Sequence, residues 1–350
     1  MTYKINLMNK LKTNYMGIEF NNPIILGASN LVTDLDNLKK AEELGAGAIV
    51  YRSLFEEQIQ LESYQLEERL NEFNDLYAEM VQIHPNMVHA GPDEHLMNIR
   101  KAKESLTIPV IASLNAINND TWLKYAMLIS ETGVDGIELN FYQIPEDFDK
   151  TSKDVEDSQI NTLKEIRKHI SIPISVKLSP DYSNILNFIK KLDKAGADAF
   201  VLFNSFFQPD IDINTEKHIK TSHLSNERDY KKSLRYAGLL FDNVKADICS
   251  SRGIFSGEDV VKLLLSGATC VQIVSTVYKN GLSRISDIRR ELEEWMDKKN
   301  YKNIDEFRGK LSKNKLTGNP FVYKRAQYVE LLLNSEEIFG VEGTSRISNP

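Results

Sequence analysis

Lys177 is the residue whose position in this 350-residue chain most strongly suggests chemistry. It stands near the end of the apolar run in SVKLSP (175–180), and a buried ammonium is costly unless something offsets its charge. Such a lysine can pair with a structural carboxylate, stabilise an anionic cofactor or intermediate, or act as a Schiff-base amine. The sequence leaves these three readings open.

Three asparagines, Asn115, Asn140 and Asn204, also come at the ends of apolar runs. A side-chain amide both donates and accepts hydrogen bonds, so a group of them suits the edge of a neutral ring such as a flavin or a pyrimidine. Each asparagine taken singly is an ordinary turn residue. The three together with Lys177 favour a ligand site.

The segment SSRGIFSGEDVV (250–261) has the features of a phosphate-binding turn. Gly253 predicts a tight turn, and Ser256 followed by Asp259 predicts a capped helix start. Backbone N–H groups at such a turn bind phosphate, and Arg252 would add a charged donor. The alternative is an ordinary connection between a strand and a helix.

Eight short apolar runs carry these residues, and helical patterns separate them. Runs of nearly continuous apolar character are typical of strands buried on both faces. Strands alternating with helices predict an α/β fold, a (β/α)8 TIM barrel, with an open doubly wound sheet as the alternative. The runs are 22–29, 43–51, 108–115, 131–139, 172–179, 194–202, 245–251 and 265–273.

The intervals between the runs predict where additional structure lies. Residues 55–107 and 205–244 are too long for simple crossovers, so we expect insertions on the top face of the barrel, at the carboxyl ends of its strands. Residues 15–22 predict a hairpin at the bottom. We expect one domain over 1–350, with a barrel core of about 22–285 and a helical C-terminal extension over 286–350.

The composition excludes several classes of protein. A net charge of −7 and a pI near 5.6 argue against a nucleic-acid or anionic membrane partner. Cys249 and Cys270 fall inside apolar runs, so we expect buried thiols and neither a disulfide nor a metal site. The N-terminus lacks the apolar core of a signal peptide and no apolar run could cross a bilayer, which favours the cytoplasm.

Barrel enzymes build their sites at the carboxyl ends of strands, so those ends supply candidates without any assumed function. In chain order they are Ser29, Arg52, Ser53, Ser113, Asn115, Asn140, Tyr142, Lys177, Asn204, Ser205, Ser251, Arg252, Gly253 and Ser275.

Five segments at these ends share the motifs of a known family. They are SLFEEQ (53–58), IASLN (111–115), ELNFY (138–142), VKLSP (176–180) and LFNSFFQPDID (202–212). Over about residues 15–285 the chain resembles the dihydroorotate dehydrogenases, FMN-dependent barrels of pyrimidine biosynthesis, and in particular a soluble, class 1-like subgroup with an altered catalytic motif. The resemblance implies one FMN-binding domain, oxidation of dihydroorotate to orotate, a soluble electron acceptor and a homodimer.

The resemblance also implies roles for individual residues. Lys177 matches the lysine beside the flavin N1/C2 edge, where it would stabilise the anionic reduced ring. The other implied FMN contacts are Ala28, Ser29, Arg52, Ser53, Asn115, Asn140, Gly253, Val274 and Ser275, the last three in the phosphate loops. The implied substrate contacts are Arg52, Asn140, Asn204 and Ser205.

The chain departs from the family pattern at the catalytic base. In the family, a Cys or Ser after the strand-end Asn removes the C5 proton of the substrate while C6 gives a hydride to the flavin. Gln143 stands there, and an amide accepts no proton at ordinary pH. Tyr142 is the candidate substitute, although a phenol suits an acid better than a base. Glu146 replaces another family Asn, and the family's asparagine-rich substrate loop is not recognisable in 77–96.

Three functions therefore stay open. An FMN oxidoreductase would have lost a base, which typically costs about 10²- to 10⁴-fold in rate. An FMN-binding barrel without dehydrogenase activity is the second function. A Schiff-base aldolase using Lys177 is the third, and it would leave the asparagines unexplained. Glu56 and Glu57 also follow a strand, but we expect both to lie at a solvated helix start.

Overall fold

The computed structural model of the chain describes residues 9–61, 92–205, 208–219, 224–317 and 320–333. Its strands are β1 (Thr13–Tyr15), β2 (Ile18–Phe20), β3 (Ile24–Leu26), β4 (Ala48–Phe55), β5 (Val110–Asn115), β6 (Gly136–Phe141), β7 (Ile174–Leu178), β8 (Ala199–Leu202), β9 (Asp210–Asp212), β10 (Lys217–Ile219), β11 (Asp247–Ser251) and β12 (Cys270–Ile273).

The helices alternate with these strands. They are α1 (Leu35–Glu43), α2 (56–61), α3 (Pro92–Ser105), α4 (Asn119–Ser130), α5 (Ser152–His169), α6 (Ile185–Ala195), α7 (Lys231–Leu240), α8 (Gly257–Ser266), α9 (Ser275–Asn280), α10 (Arg284–Lys298) and α11 (Ala326–Leu333).

Eight strands close into a parallel barrel in the order β11-β12-β3-β4-β5-β6-β7-β8. Each of these strands lies within one of the eight predicted runs or overlaps it, and each pairs in parallel with both neighbours. The ring confirms the predicted (β/α)8 barrel and rules out the open doubly wound sheet.

The lower half of the barrel interior is filled by an apolar plug. Successive residues of a strand face opposite sides, and the inward positions of this half are small or aliphatic. The plug consists of Ile25, Ala48, Val50, Ile111, Ala199, Val201, Cys249 and Cys270. Both cysteines are free and buried, as predicted.

The hairpin formed by β1 and β2 closes the bottom of the barrel, which confirms the prediction for 15–22. Tyr15, Met16 and Phe20 are buried against the apolar plug. The Met16 N–H donates to Asp247 Oδ2 at 2.9 Å, and Asp247 begins β11. The open end of the barrel is therefore the opposite one, at the carboxyl ends of the strands.

The two predicted insertions follow β4 and β8. In the insertion after β4, residues 62–91 lie outside the described residues. They include most of the segment 77–96, in which the family's substrate loop is not recognisable. Helix α3 forms the last part of this insertion. The second contains the antiparallel β9–β10 hairpin and α7.

The described chain after the barrel contains α10 and α11, with short 3-10 helices at Ile304–Glu306 and Pro320–Tyr323 and turns between them. Helix α10 packs closely on α8 at Gly257. A Cβ added to Gly257 of α8 would lie only 2.8 Å from the backbone nitrogen of Leu292 on α10. Among the described residues, none of the helices combines the length and the apolar character needed to span a membrane. The predicted domain bounds stay a prediction.

Candidate active site

The inward side chains above the apolar plug form a polar site at the open end of the barrel. Asn140 of β6 and Lys177 of β7 lie side by side in the strand register, and Lys177 pairs in register with Val201 of the plug. Residues in register on neighbouring strands face the same side of a sheet. Both Asn140 and Lys177 therefore point into the barrel.

The ammonium of Lys177 belongs to a hydrogen-bonded ring of three side chains. Its Nζ lies 3.4 Å from Glu138 Oε1 and donates to Gln272 Oε1 at 3.0 Å. The Gln272 amide in turn donates to Glu138 Oε2 at 2.5 Å. The side chain of Glu138 is 1% exposed and that of Lys177 14%. A carboxylate thus pairs with Lys177, and the ring forms the floor of the site.

The three asparagines are joined above this floor. Asn204 donates its amide to Asn140 Oδ1 at 2.6 Å, and Asn115 donates to the Asn140 backbone oxygen at 3.1 Å. The Asn204 side chain also accepts from the Ser205 N–H at 3.1 Å. Because the Asn140 oxygen is engaged, its NH₂ group remains the side of the amide that a ligand can use.

Ser53 and Arg52 occupy the neighbouring end of β4. Ser53 is buried, and its hydroxyl lies 2.7 Å from that of Ser113 on β5. Arg52 is partly exposed and donates to Asn30 Oδ1 at 3.4 Å. Ser29 precedes Asn30, and its Oγ is buried without a hydrogen-bond partner among the described residues. A buried hydroxyl without a partner is costly, so Ser29 is available to a ligand.

His95 of α3 lies behind the end of β4, with its ring edge-on to Tyr51. Burial, reinforced by the charge of Arg52, lowers the pKa of His95 to about 4. The imidazole is therefore neutral near pH 7. His95 was not predicted as a site residue, because α3 follows β4 only after a long interval.

Ser225 connects the predicted phosphate loops after β11 and β12. The Ser225 hydroxyl accepts from the Gly253 N–H at 2.9 Å, and the backbone N–H of Ser225 donates to Ser275 Oγ at 2.9 Å. Lys279 donates to the Ser225 backbone oxygen at 3.0 Å, and Val274 lies partly exposed beside Ser275. The Gly253 N–H is thus engaged by a serine that the sequence did not single out.

Gly253 and Arg252 shape the first of these loops. Both have positive φ, +66° and +73°, and a Cβ on Gly253 would lie 2.6 Å from the Asp229 backbone nitrogen. Arg252 lies 3.6 Å from the Asp229 carboxylate. The Ser256–Asp259 capping box at the start of α8 is present as predicted.

The residues at the position of the family base lie at the edge of the site. Gln143 is exposed, and Tyr142 is partly exposed with its N–H bonded to the Asn140 backbone oxygen at 2.8 Å. Among the described residues, no three His, Cys, Asp or Glu side chains form a group that could hold a metal ion.

The expectation of a solvated Glu56 is wrong. Glu56 is 2% exposed, and its carboxylate accepts from the Asn118 N–H at 2.8 Å and from the Ile117 N–H at the start of α4. Burial alone would raise the pKa of Glu56, but these hydrogen bonds outweigh it and hold that pKa below its usual value. Glu57 is exposed, as expected.

Comparisons with known proteins agree with this arrangement. The sequence profile described as dihydroorotate dehydrogenase matches residues 84–296. The dihydroorotate dehydrogenase B (NAD(+)) catalytic subunit of Methanocaldococcus jannaschii is 28% identical over 301 residues, which cover 83% of this chain and 94% of that protein. Its counterpart in Thermoplasma volcanium is 27% identical over 315 residues, covering 86% and 98%. Since the profile matches more than half of the chain, this protein belongs to the dihydroorotate dehydrogenase family.

Proposed function

We propose that this chain is an FMN-binding oxidoreductase of the dihydroorotate dehydrogenase type, in which oxidation of dihydroorotate itself is impaired. One observation carries the proposal: Lys177 and the joined asparagines lie together at the open end of a closed barrel. These groups supply one positive charge and several amide donors and acceptors, which suit a flavin ring.

The surrounding residues also fit FMN. The Ser29 hydroxyl, which has no hydrogen-bond partner among the described residues, supplies a buried donor. Ser53, Asn115 and Ala28 would complete the walls. FMN, when bound, accepts a hydride from the substrate and passes electrons onward.

Individual residues of the chain would bind and orient the reactants. Lys177 supplies positive charge at the floor of the site. This charge would stabilise the reduced cofactor, which is more negative than the oxidised one. Arg52, Asn204 and Ser205 would hold the substrate. The loops after β11 and β12 would hold the phosphate, with Arg252 and the Ser275 region as donors, while Gly253 shapes the turn.

The exposed Gln143 is the reason to expect impaired turnover of dihydroorotate. A neutral amide cannot remove the substrate proton, and loss of such a base costs about 10²- to 10⁴-fold. Tyr142 is the nearest replacement in the chain and would act on a substrate held against Asn140. A relative of dihydroorotate with a more acidic C–H bond would depend less on a base.

An FMN-binding barrel without dehydrogenase activity is the second candidate, and the same exposed Gln143 favours it. The aldolase hypothesis is less favoured, because Glu138 and Gln272 already engage the Lys177 Nζ. A Schiff base requires an amine that is free to attack a carbonyl.

We further propose a soluble electron acceptor, a homodimer and a cytoplasmic location. The relatives named above are catalytic subunits of an NAD(+)-dependent enzyme, which supports an acceptor delivered by another soluble component. Sedimentation of the purified chain tests the dimer.

A visible spectrum of the purified protein tests the cofactor. Absorbance bands of a bound flavin, with or without added FMN, are expected, and a colourless protein that takes up no FMN contradicts the proposal. Anaerobic addition of dihydroorotate then tests turnover: slow bleaching supports the impaired dehydrogenase, and no bleaching supports the second candidate. Borohydride trapping of a carbonyl compound on Lys177 would support an aldolase.

A further inference from the structure

The ring formed by Lys177, Glu138 and Gln272 spans the whole barrel. Strands β6 and β12, which carry Glu138 and Gln272, lie opposite each other, with three strands between them on either side. The Gln272–Glu138 hydrogen bond therefore crosses the interior from one wall to the other. Lys177 joins both partners from β7.

Glu138 lies deeper in the barrel than Lys177. Lys177 is in register with Asn140, two residues nearer the open end of β6, whereas Glu138 is in register with Ser113 and Ser175. The exposed fractions of the side chains, 1% for Glu138 and 14% for Lys177, agree with this order. A ligand entering from the top meets the ammonium first and the carboxylate beneath it.

We propose that Glu138 is a positioning residue, braced by Gln272, that fixes the Lys177 ammonium at the floor of the site and sets the midpoint potential of the bound flavin. This inference rests on the proposed FMN function. Neither Glu138 nor Gln272 belongs to the residues that would contact the cofactor; both act through Lys177.

The sign of the effect follows from the charges. Reduction makes the cofactor more negative, so the Lys177 ammonium favours it and the Glu138 carboxylate opposes it through space. A carboxylate buried at low dielectric acts more strongly than an exposed one. The pair therefore holds the potential below the value that the ammonium alone would give.

The first measurement is the midpoint potential of the FMN-loaded protein by equilibration with a reference dye. Glu138→Gln is expected to shift the potential in the positive direction, because it removes the opposing charge and keeps the shape. Glu156→Gln is the matched control, since buried Glu156 pairs with Lys191 at 2.9 Å on the outer helices. A negative shift or none in Glu138→Gln, or an equal shift in the control, overturns the inference.

The second measurement needs no flavin. Acylation of lysines in the flavin-free protein, followed by peptide mass spectrometry, reports how firmly the Lys177 amine is held. Glu138→Gln is expected to raise the labelling rate of Lys177 by about fivefold, the effect of losing roughly 1 kcal/mol of hydrogen bonding, with Lys191 unchanged. Equal rates in wild type and variant overturn the positioning role.

The two readouts separate the inference from the proposed function. A protein that takes up no FMN contradicts the function, while the labelling rate still decides whether Glu138 positions Lys177. Glu138→Asp keeps the charge and serves if Glu138→Gln does not fold. Its shorter side chain is expected to raise labelling while leaving the potential near that of the wild type.

Discussion

Asn204 on the loop after β8 donates its side-chain amide to Asn140 Oδ1 of β6 at 2.6 Å. This hydrogen bond engages the Asn140 side-chain oxygen and leaves the Asn140 NH₂ group as the part of the amide that a ligand can use. It also joins two strand ends that are separated by β7 in the barrel.

Asn204→Ala is expected to weaken FMN binding about fivefold, because the loss of roughly 1 kcal/mol frees the Asn140 amide to rotate. Titration of flavin fluorescence measures the change. Asn214→Ala is the control, since Asn214 is exposed at the β9–β10 hairpin. Equal affinities in wild type and Asn204→Ala would contradict the role of this hydrogen bond.

Gly253→Ala is expected to lower the free energy of unfolding more than Gly133→Ala does. Both glycines have positive φ, but a Cβ on Gly253 would lie 2.6 Å from the Asp229 backbone nitrogen, whereas no atom of the described residues lies within 4 Å of a Cβ on Gly133. The strain shared by both is about 1–2 kcal/mol. Urea unfolding measures the free energy of unfolding of both variants, and the difference between them reports the cost of the clash at Gly253. Equal decreases in the two variants would show that the loop relaxes to remove the clash.

Glu56→Gln is expected to destabilise the protein by about 1–3 kcal/mol, because a neutral amide replaces the buried carboxylate that accepts from the part-buried N–H groups of Ile117 and Asn118. Glu57→Gln is the matched control on an exposed neighbour and is expected to change stability by less than about 0.5 kcal/mol. Thermal or urea unfolding compares the two. Similar small effects would mean that water replaces the Glu56 carboxylate.

The neutral, buried His95 predicts a loss of stability in acid. Its pKa falls from 6.5 to about 4 on folding, so the unfolded chain binds an extra proton between these values and stability falls as pH drops through them. The shift corresponds to about 3 kcal/mol. Urea unfolding at pH 7 and pH 4.5 gives the free energy of unfolding at each pH. The decrease between the two pH values is expected to be smaller in His95→Gln than in wild type, and an equal decrease would contradict the role of His95.

Gln143→Cys restores the group that the family uses as a base. Anaerobic bleaching by dihydroorotate is expected to accelerate at least about tenfold, which is modest beside the usual contribution of a general base. Ile144→Cys places the same thiol one residue further along the exposed segment and controls for thiol chemistry. If Gln143→Cys does not raise the bleaching rate and Tyr142→Phe abolishes bleaching, Tyr142 is the group that removes the substrate proton.

The features that the sequence predicted are those that local patterns encode. Apolar runs place all eight strands, the Ser256–Asp259 pattern places the start of α8, and barrel geometry brings Lys177 and the asparagines to one end. Each follows from residues within a few positions of one another, or from the rule that parallel strands end on the same face.

The features that the sequence did not predict depend on contacts between distant segments. Glu138 was not among the predicted site residues, although a carboxylate inside an apolar strand two residues before Asn140 is a usable signal. Its partner Gln272 lies 134 residues away. Ser225 lies in the long interval between two apolar runs, and Glu56 is paired with the N–H of Asn118, which lies 62 residues further along the chain.

The hydrogen bond that crosses the barrel between Glu138 and Gln272 makes distant positions interdependent. A substitution at 138, 177 or 272 leaves the other two side chains in the interior with altered charge or hydrogen bonding. Substitutions at these positions should therefore be tolerated in combination and resisted singly. Strand β12 is thus coupled through the interior to β6 and β7, although it pairs with neither of them in the barrel.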